Sequence, residues 1–179
     1  PLPDEAYYWL WSKKPALSYY DHPPLTSWIQ YSLSLILPNK ILEIRALPLL
    51  CFLIICFVNV KWMQEIKKRE NIALLSSTVI FFSLPLFGIF LTIAFPDALM
   101  VLLLFSSGFL FYKFYSGRLE GKNDYKLWYL STLCFSLACI TKYNAIIFGV
   151  GILIFMWSQK STLRSLLLSR HFIFSIFLF

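Results

Sequence analysis

The chain has 179 residues, of which 59% are hydrophobic, 19% aromatic and only 14% charged, with a formal net charge of +7 and a mean hydropathy of +0.69. So little charge cannot cover the surface of a soluble domain of this size, which places the chain among membrane proteins. The positive charge does not point to nucleic acid, because the basic residues fall in short clusters between long apolar runs, as in loops that connect membrane spans.

In chain order, residues 1–42 differ in kind from the rest. The run Asp4-Glu5-Ala6-Tyr7-Tyr8-Trp9-Leu10-Trp11 is too polar to span a bilayer and too apolar to be a solvated loop. It predicts an amphipathic helix in the headgroup region, where Trp and Tyr prefer to sit. Asp21-His22-Pro23-Pro24 follows; the prolines stop a preceding helix and can open the next. Residues 25–37 form an apolar run of the length of an interfacial or re-entrant helix. Asp21 and His22 then stand beside a helix N-terminus, where backbone N–H groups and the dipole favour an anion.

A bilayer core about 30 Å thick needs roughly 20 mostly apolar residues per helical span. Residues 45–62, 72–95, 98–115, 127–141 and 143–157 are the predicted spans, and 171–179 begins a sixth. Pro85 and Gly88 are expected kinks in the second. The fold class is therefore all-α: a polytopic transmembrane bundle over 43–179, with interfacial helices in a first extracytoplasmic loop over 1–42. The chain starts at Pro1 and stops inside an apolar run, so it is expected to be part of a longer protein. Cys51, Cys56, Cys134 and Cys139 all lie in apolar runs without CxxC spacing and are expected to act as packing residues.

The loops set sidedness. Lys61, Lys67, Lys68 and Arg69 share one side; two crossings later come Lys113, Arg118, Lys122 and Lys126, and two more bring Lys160, Arg164 and Arg170. Three basic loops on one side make that side cytoplasmic. The acidic residues Asp4, Glu5, Asp21 and Asp97 are expected to gather on the opposite face.

Each candidate for chemistry has an alternative. Asp4 and Glu5 can simply open the interfacial helix, where acids in the first turn are stabilising. Alternatively, one carboxylate faces an extracytoplasmic cavity as a general base, or holds an acceptor hydroxyl. Asp97, in a Pro-Asp turn between two spans, can cap the helix that follows, or line a polar cavity. Asp21 and His22 offer two ligands of the three or four a divalent metal needs; the alternative is a structured turn. Lys142 can snorkel from a helix end or meet a lipid-linked phosphate. His171 reads as an interfacial residue.

Taken together and in order, Asp4-Glu5-Ala6-Tyr7-Tyr8-Trp9, Tyr19-Tyr20-Asp21-His22-Pro23-Pro24-Leu25, Pro96-Asp97-Ala98 and Thr141-Lys142-Tyr143 resemble motifs of the membrane-embedded C-type glycosyltransferases. The resemblance is to the bacterial relatives of protein O-mannosyltransferase and of the aminoarabinose transferase acting on lipid A. It implies a sugar moved from a polyprenyl-phosphate donor to a hydroxyl acceptor (glycolipid, polysaccharide or protein) on the periplasmic face of a bacterial inner membrane, with inversion. It makes Asp4, with Glu5 beside it, the catalytic carboxylate and Asp97 a second acid of the same cavity. It puts Lys142 and Tyr143 on the substrate's side. In the aminoarabinose transferases the residues before the Pro-Pro pair are commonly Glu-Lys, the acid near a bound metal and the Lys near phosphate. Here Asp21 keeps the acid and His22 replaces the Lys. A transporter or flippase for a lipid-linked or small solute is the alternative, although the inverted repeats or broken helices near the midplane expected of one are not seen. A non-catalytic membrane scaffold is the third reading.

Overall fold

The computed structural model of the protein describes residues 3–20, 22–37, 39–66, 95–159 and 163–177, together with Val79 and Ser83, with the side chain of Asp4 set aside. Asp21, the charged stretch 67–70 and nearly all of the predicted span 72–95 lie outside the described residues. Every regular element among the described residues is helical, as the all-α reading requires.

Helix α1 (Pro3–Ser12) opens on a proline, which suits the first helical position because no backbone N–H is needed there. Asp4 and Glu5 follow in the first turn, where the dipole favours negative charge. The helix stops ahead of Pro15, with the Ser12 hydroxyl donating to the Trp9 carbonyl at 2.7 Å. The connection to α2 (Leu25–Ser34) is folded on itself. Tyr19 stacks on Trp11 with ring centroids 4.6 Å apart, its hydroxyl donates toward the Trp11 carbonyl at 3.1 Å, and Trp28 Nε1 donates to the Ala16 carbonyl at 2.8 Å. Helix α2 is shorter than the apolar run 25–37, because the Ile36 and Leu37 amides both turn back to the Leu33 carbonyl.

Asn39 caps α3 (Lys40–Ile66) by accepting the Ile41 N–H on its side chain at 2.8 Å. At 27 residues, α3 is roughly 40 Å long and overruns the predicted 45–62 at both ends. Pro48 is buried inside it and removes one backbone bond, that to the Ile44 carbonyl. Helix α4 (Pro96–Leu119) starts with its proline at the first helical position. The two pack through Leu47, Cys51 and Ile55, a ridge at four-residue spacing, against Ala98, Leu99 and Leu102. Cys51 and Ala98 are small, which lets the backbones approach.

The turn after α4 has the hydrogen bonds of a Schellman motif: Lys122 N–H to the Gly117 carbonyl at 2.8 Å and Gly121 N–H to Arg118 at 3.1 Å. Gly121 takes φ +80° there. Asp124 then caps α5 (Tyr125–Cys139) by accepting the Lys126 N–H. Helices α4 and α5 are tied by a reciprocal serine pair, in which Ser107 and Ser131 each donate to the other's carbonyl at 2.9 Å. After α5 comes a 3-10 turn (Tyr143–Ala145), then α6 (Ile146–Ser158), α7 (Arg164–Leu167) and α8 (Arg170–Ile176). The run 143–157 is thus a tight turn followed by a helix. Phe111, Phe114, Trp128, Met156, Leu163 and Leu166 form a second core below it.

Helices α3 and α4 are long and apolar enough to cross a membrane. Their apolar surface is not consumed by packing: Leu53 and Phe57 on α3 stay more than half exposed, as do Ile147 and Ile154 on α6. A hydrocarbon solvent covers such faces; water does not.

The starts of α3, α4 and α6 and the end of α5 share one end of the bundle. That end carries Glu5, Glu43 and Asp97, but also Lys13, Lys40, Arg45 and Lys142. The other end holds Lys113, Arg118, Lys122 and Arg164 together with Glu65, Glu120 and Asp124. The expected gathering of acids away from basic loops is therefore incomplete. The reason is local pairing: Lys13–Glu43 at 2.7 Å, Lys113–Glu65 at 3.0 Å and Lys122–Glu120 at 2.9 Å.

Candidate functional site

Three polar contacts meet at the end where α1 and α2 lie. The first joins α4 to the α5–α6 connection: Lys142 Nζ donates to both oxygens of Asp97, at 2.8 and 3.0 Å. Both side chains are partly exposed, at 30% and 21%. The capping alternative for Asp97 is not what the structure shows. Phe95 holds the cap position without a side-chain bond, Asp97 lies inside the first turn, and its carboxylate turns to Lys142. Because Pro96 fixes the helix start one residue earlier, Asp97 sits past the position from which it could cap.

The second contact joins α1 to α3. Glu5 is fully buried, and Arg45 meets it with two nitrogens, Nη1 to Oε1 at 3.0 Å and Nη2 to Oε2 at 3.1 Å. A carboxylate removed from water needs such a partner, since an unpaired buried charge is strongly unfavourable; the two-pronged geometry is what a guanidinium offers and an ammonium does not. The third contact is His22 Nε2 to the Tyr8 hydroxyl at 3.1 Å. The His22 ring also meets Tyr8 edge-on at 5.3 Å and lies 6.0 Å from Trp11, so it is held in an aromatic setting.

These contacts are neighbours. Leu25 N–H donates to the Ile140 carbonyl at 3.2 Å, so the Pro23-Pro24 turn lies against the segment that leads to Lys142. Leu47, two residues beyond Arg45, and Ala98, next to Asp97, belong to one core cluster, against which Leu25 and Ile29 pack. Tyr143, beside Lys142, is exposed. The structure thus brings Glu5, His22, Asp97 and Lys142 to one end of the bundle.

Asp21, the proposed metal ligand, lies outside the described residues, and among the described residues no three His, Cys, Asp or Glu side chains converge on a metal position. His171 belongs to the opposite end, stacked on Tyr125 at 3.6 Å and bonded to the Tyr129 hydroxyl at 2.7 Å. A cavity of about 370 Å³ between α4, α5, α6 and α8 is walled by groups such as Phe111, Trp128, Phe135 and Met156 and has no charged lining residue. It cannot serve ionic chemistry.

Sequence reasoning missed Arg45, Tyr8 and Glu43. Glu43 accepts from Trp9 Nε1 at 3.0 Å and pairs with Lys13, fixing the end of α1 to the start of α3. The available signal for Arg45 was its position as the last charge before a long uncharged apolar stretch of α3, where a charge needs a partner.

Long helices with apolar outer faces and charge pairs confined to their ends have the build of an integral membrane protein with a polar site near the ends of its helices. Residues 21–179 match the profile of the dolichyl-phosphate-mannose-protein mannosyltransferase family, and the chain belongs to that family. It is a membrane glycosyltransferase of the mannosyltransferase type. The matched region includes His22, Asp97 and Lys142 and begins after α1. No curated protein and no solved structure matches the chain.

Proposed function

We propose that the protein moves a sugar from a polyprenyl-phosphate donor to a hydroxyl acceptor at the end of the bundle formed by α1, α2 and the Asp97–Lys142 pair. The observation that carries this is the Asp97–Lys142 contact at 2.8 Å, in a chain of the mannosyltransferase family and at the end of the bundle that also carries Glu5 and His22. A lipid-linked donor keeps its phosphate at headgroup depth, so its partners must lie at one end of the membrane helices. Lys142 is partly exposed and can meet the phosphate while Asp97 holds its ammonium in position. This matches the expected use of a fixed cation where negative charge develops on the leaving group.

In this reading Asp4 is the base. Glu5 is committed to Arg45 through both carboxylate oxygens and serves to anchor α1, leaving its neighbour for chemistry. The acceptor oxygen bonds to the anomeric carbon as the bond from that carbon to the phosphate oxygen breaks. Polyprenyl phosphate departs with the electron pair, and the acceptor proton passes to the Asp4 carboxylate. One displacement inverts the anomeric centre. Tyr143 lies on the substrate's side of Lys142, and His22 contributes to the phosphate environment from its Tyr8 contact. Asp21 is the residue offered to a divalent cation. We assign the site to the extracytoplasmic side, a reading supported by the basic clusters of the sequence under the positive-inside rule.

The test is transfer from polyprenyl-phosphate mannose in membranes carrying the protein, with the anomeric configuration of the product assigned. Transfer with inversion is expected. Transfer with retention would sink the single-displacement mechanism, and no transfer from this or other polyprenyl-phosphate sugars by folded protein would sink the donor assignment.

A further inference from the structure

Helix α2 carries two polar side chains whose needs the fold does not meet. Thr26 and Gln30 are 3% and 2% exposed, one turn apart on the flank of α2 that adjoins the Leu25, Ile29 and Leu33 stripe. Among the described residues, the Thr26 hydroxyl and both polar atoms of the Gln30 amide have no hydrogen-bond partner. Buried polar atoms are nearly always paired, and three unpaired ones on a single helix flank are costly. An apolar pair at these positions would suit the fold better, so their presence points to a partner from outside the chain.

Their chemistry and place say which. An amide and a hydroxyl are neutral, and each both donates and accepts. That matches sugar hydroxyls, which also donate and accept, better than the acceptor-only oxygens of a phosphate, whose charge is met best by cations. A partly exposed cation of this region, Lys142, is separate, carried by the turn that follows Ile140, whose carbonyl accepts from the Leu25 N–H at the start of α2. We infer that Thr26 and Gln30 form the subsite that binds hydroxyl groups of the donor's sugar, while Lys142 addresses its phosphate. This rests on the donor reading above and extends it to sugar selectivity.

Gln30→Met and Thr26→Val keep shape and remove the polar atoms, and membranes carrying each variant are assayed with polyprenyl-phosphate mannose and a series of its monodeoxy analogues. The expected result is a KM for the mannose donor raised roughly tenfold, the worth of a hydrogen bond to a buried group. At least one deoxy donor, poor for the wild type, should become as good as the parent sugar. The thermal midpoint should hold or rise, because an unmet burial cost is relieved, and Thr26→Ser should retain the wild-type KM. Unchanged KM and unchanged discrimination in both variants would overturn the subsite, whatever the midpoint does. Absence of transfer by the wild type itself would overturn the donor reading and this subsite with it, a result distinct from the first.

Discussion

Arg45 grips Glu5 with both arms of its guanidinium, at 3.0 and 3.1 Å, across 40 residues of sequence. The pair fastens the first turn of α1 to the first turns of α3. Whatever Asp4 does, it does from a helix held in place by its neighbour.

Removing one side of that pair strands a fully buried carboxylate. Arg45→Ala should lower stability by about 2–3 kcal/mol, at or below the foot of the range for a broken buried ion pair. The discount reflects Arg45 itself, whose side chain is 43% exposed and well screened. Arg45→Lys should fall between, since an ammonium restores charge without the fork. Thermal unfolding of the detergent-solubilised protein measures the order: wild type, then Lys, then Ala.

Asp97 and Lys142 should behave as one unit. Asp97→Asn and Lys142→Met should each cut transfer by roughly a hundredfold, a typical loss for one electrostatic contact to a developing charge. The double variant should be no worse than the weaker single one, because neither residue keeps its role without the other. Fully multiplicative losses in the rate assay would show that the two act separately.

Much of this was legible in the sequence, and the exceptions share a cause. Pro23-Pro24 announces the start of α2 because a proline at the first turn is locally favourable, and the apolar runs announce membrane-length helices, whereas α4 begins at Pro96, ahead of the expected 98. Asp97 and Lys142 could each be singled out by type and setting. Their pairing could not be read, because 45 residues separate them and only the packing of α4 on α5 joins them. In the sequence Arg45 is only the edge of an apolar run, since its partner lies in another helix. Thr26 and Gln30 attracted no notice, because an interfacial helix ordinarily turns such residues to water; only their burial gives them meaning.

The turn between α4 and α5 offers a clean stability test. Gly121→Ala should cost about 1 kcal/mol, because φ +80° is strained for any residue with a Cβ. The added methyl itself meets nothing within 4 Å, so the loss is backbone strain alone. Gly151→Ala is the control. It lies within α6 with equally open space, and there alanine should be neutral or gain up to about 1 kcal/mol. Melting curves of the two variants should move in opposite directions, or only the first should fall.

The base assignment is the centre of the account, and a comparison of Asp4→Asn with Glu5→Gln tests it most directly. Transfer of labelled mannose from its polyprenyl phosphate is measured in membranes carrying each variant at matched levels of folded protein. Asp4→Asn is expected to lose at least roughly a hundredfold in kcat with its thermal midpoint unchanged, as for loss of a general base. Glu5→Gln is expected to lower the midpoint and retain more activity. Wild-type turnover by Asp4→Asn would contradict the base assignment and remove Asp4 from the chemistry.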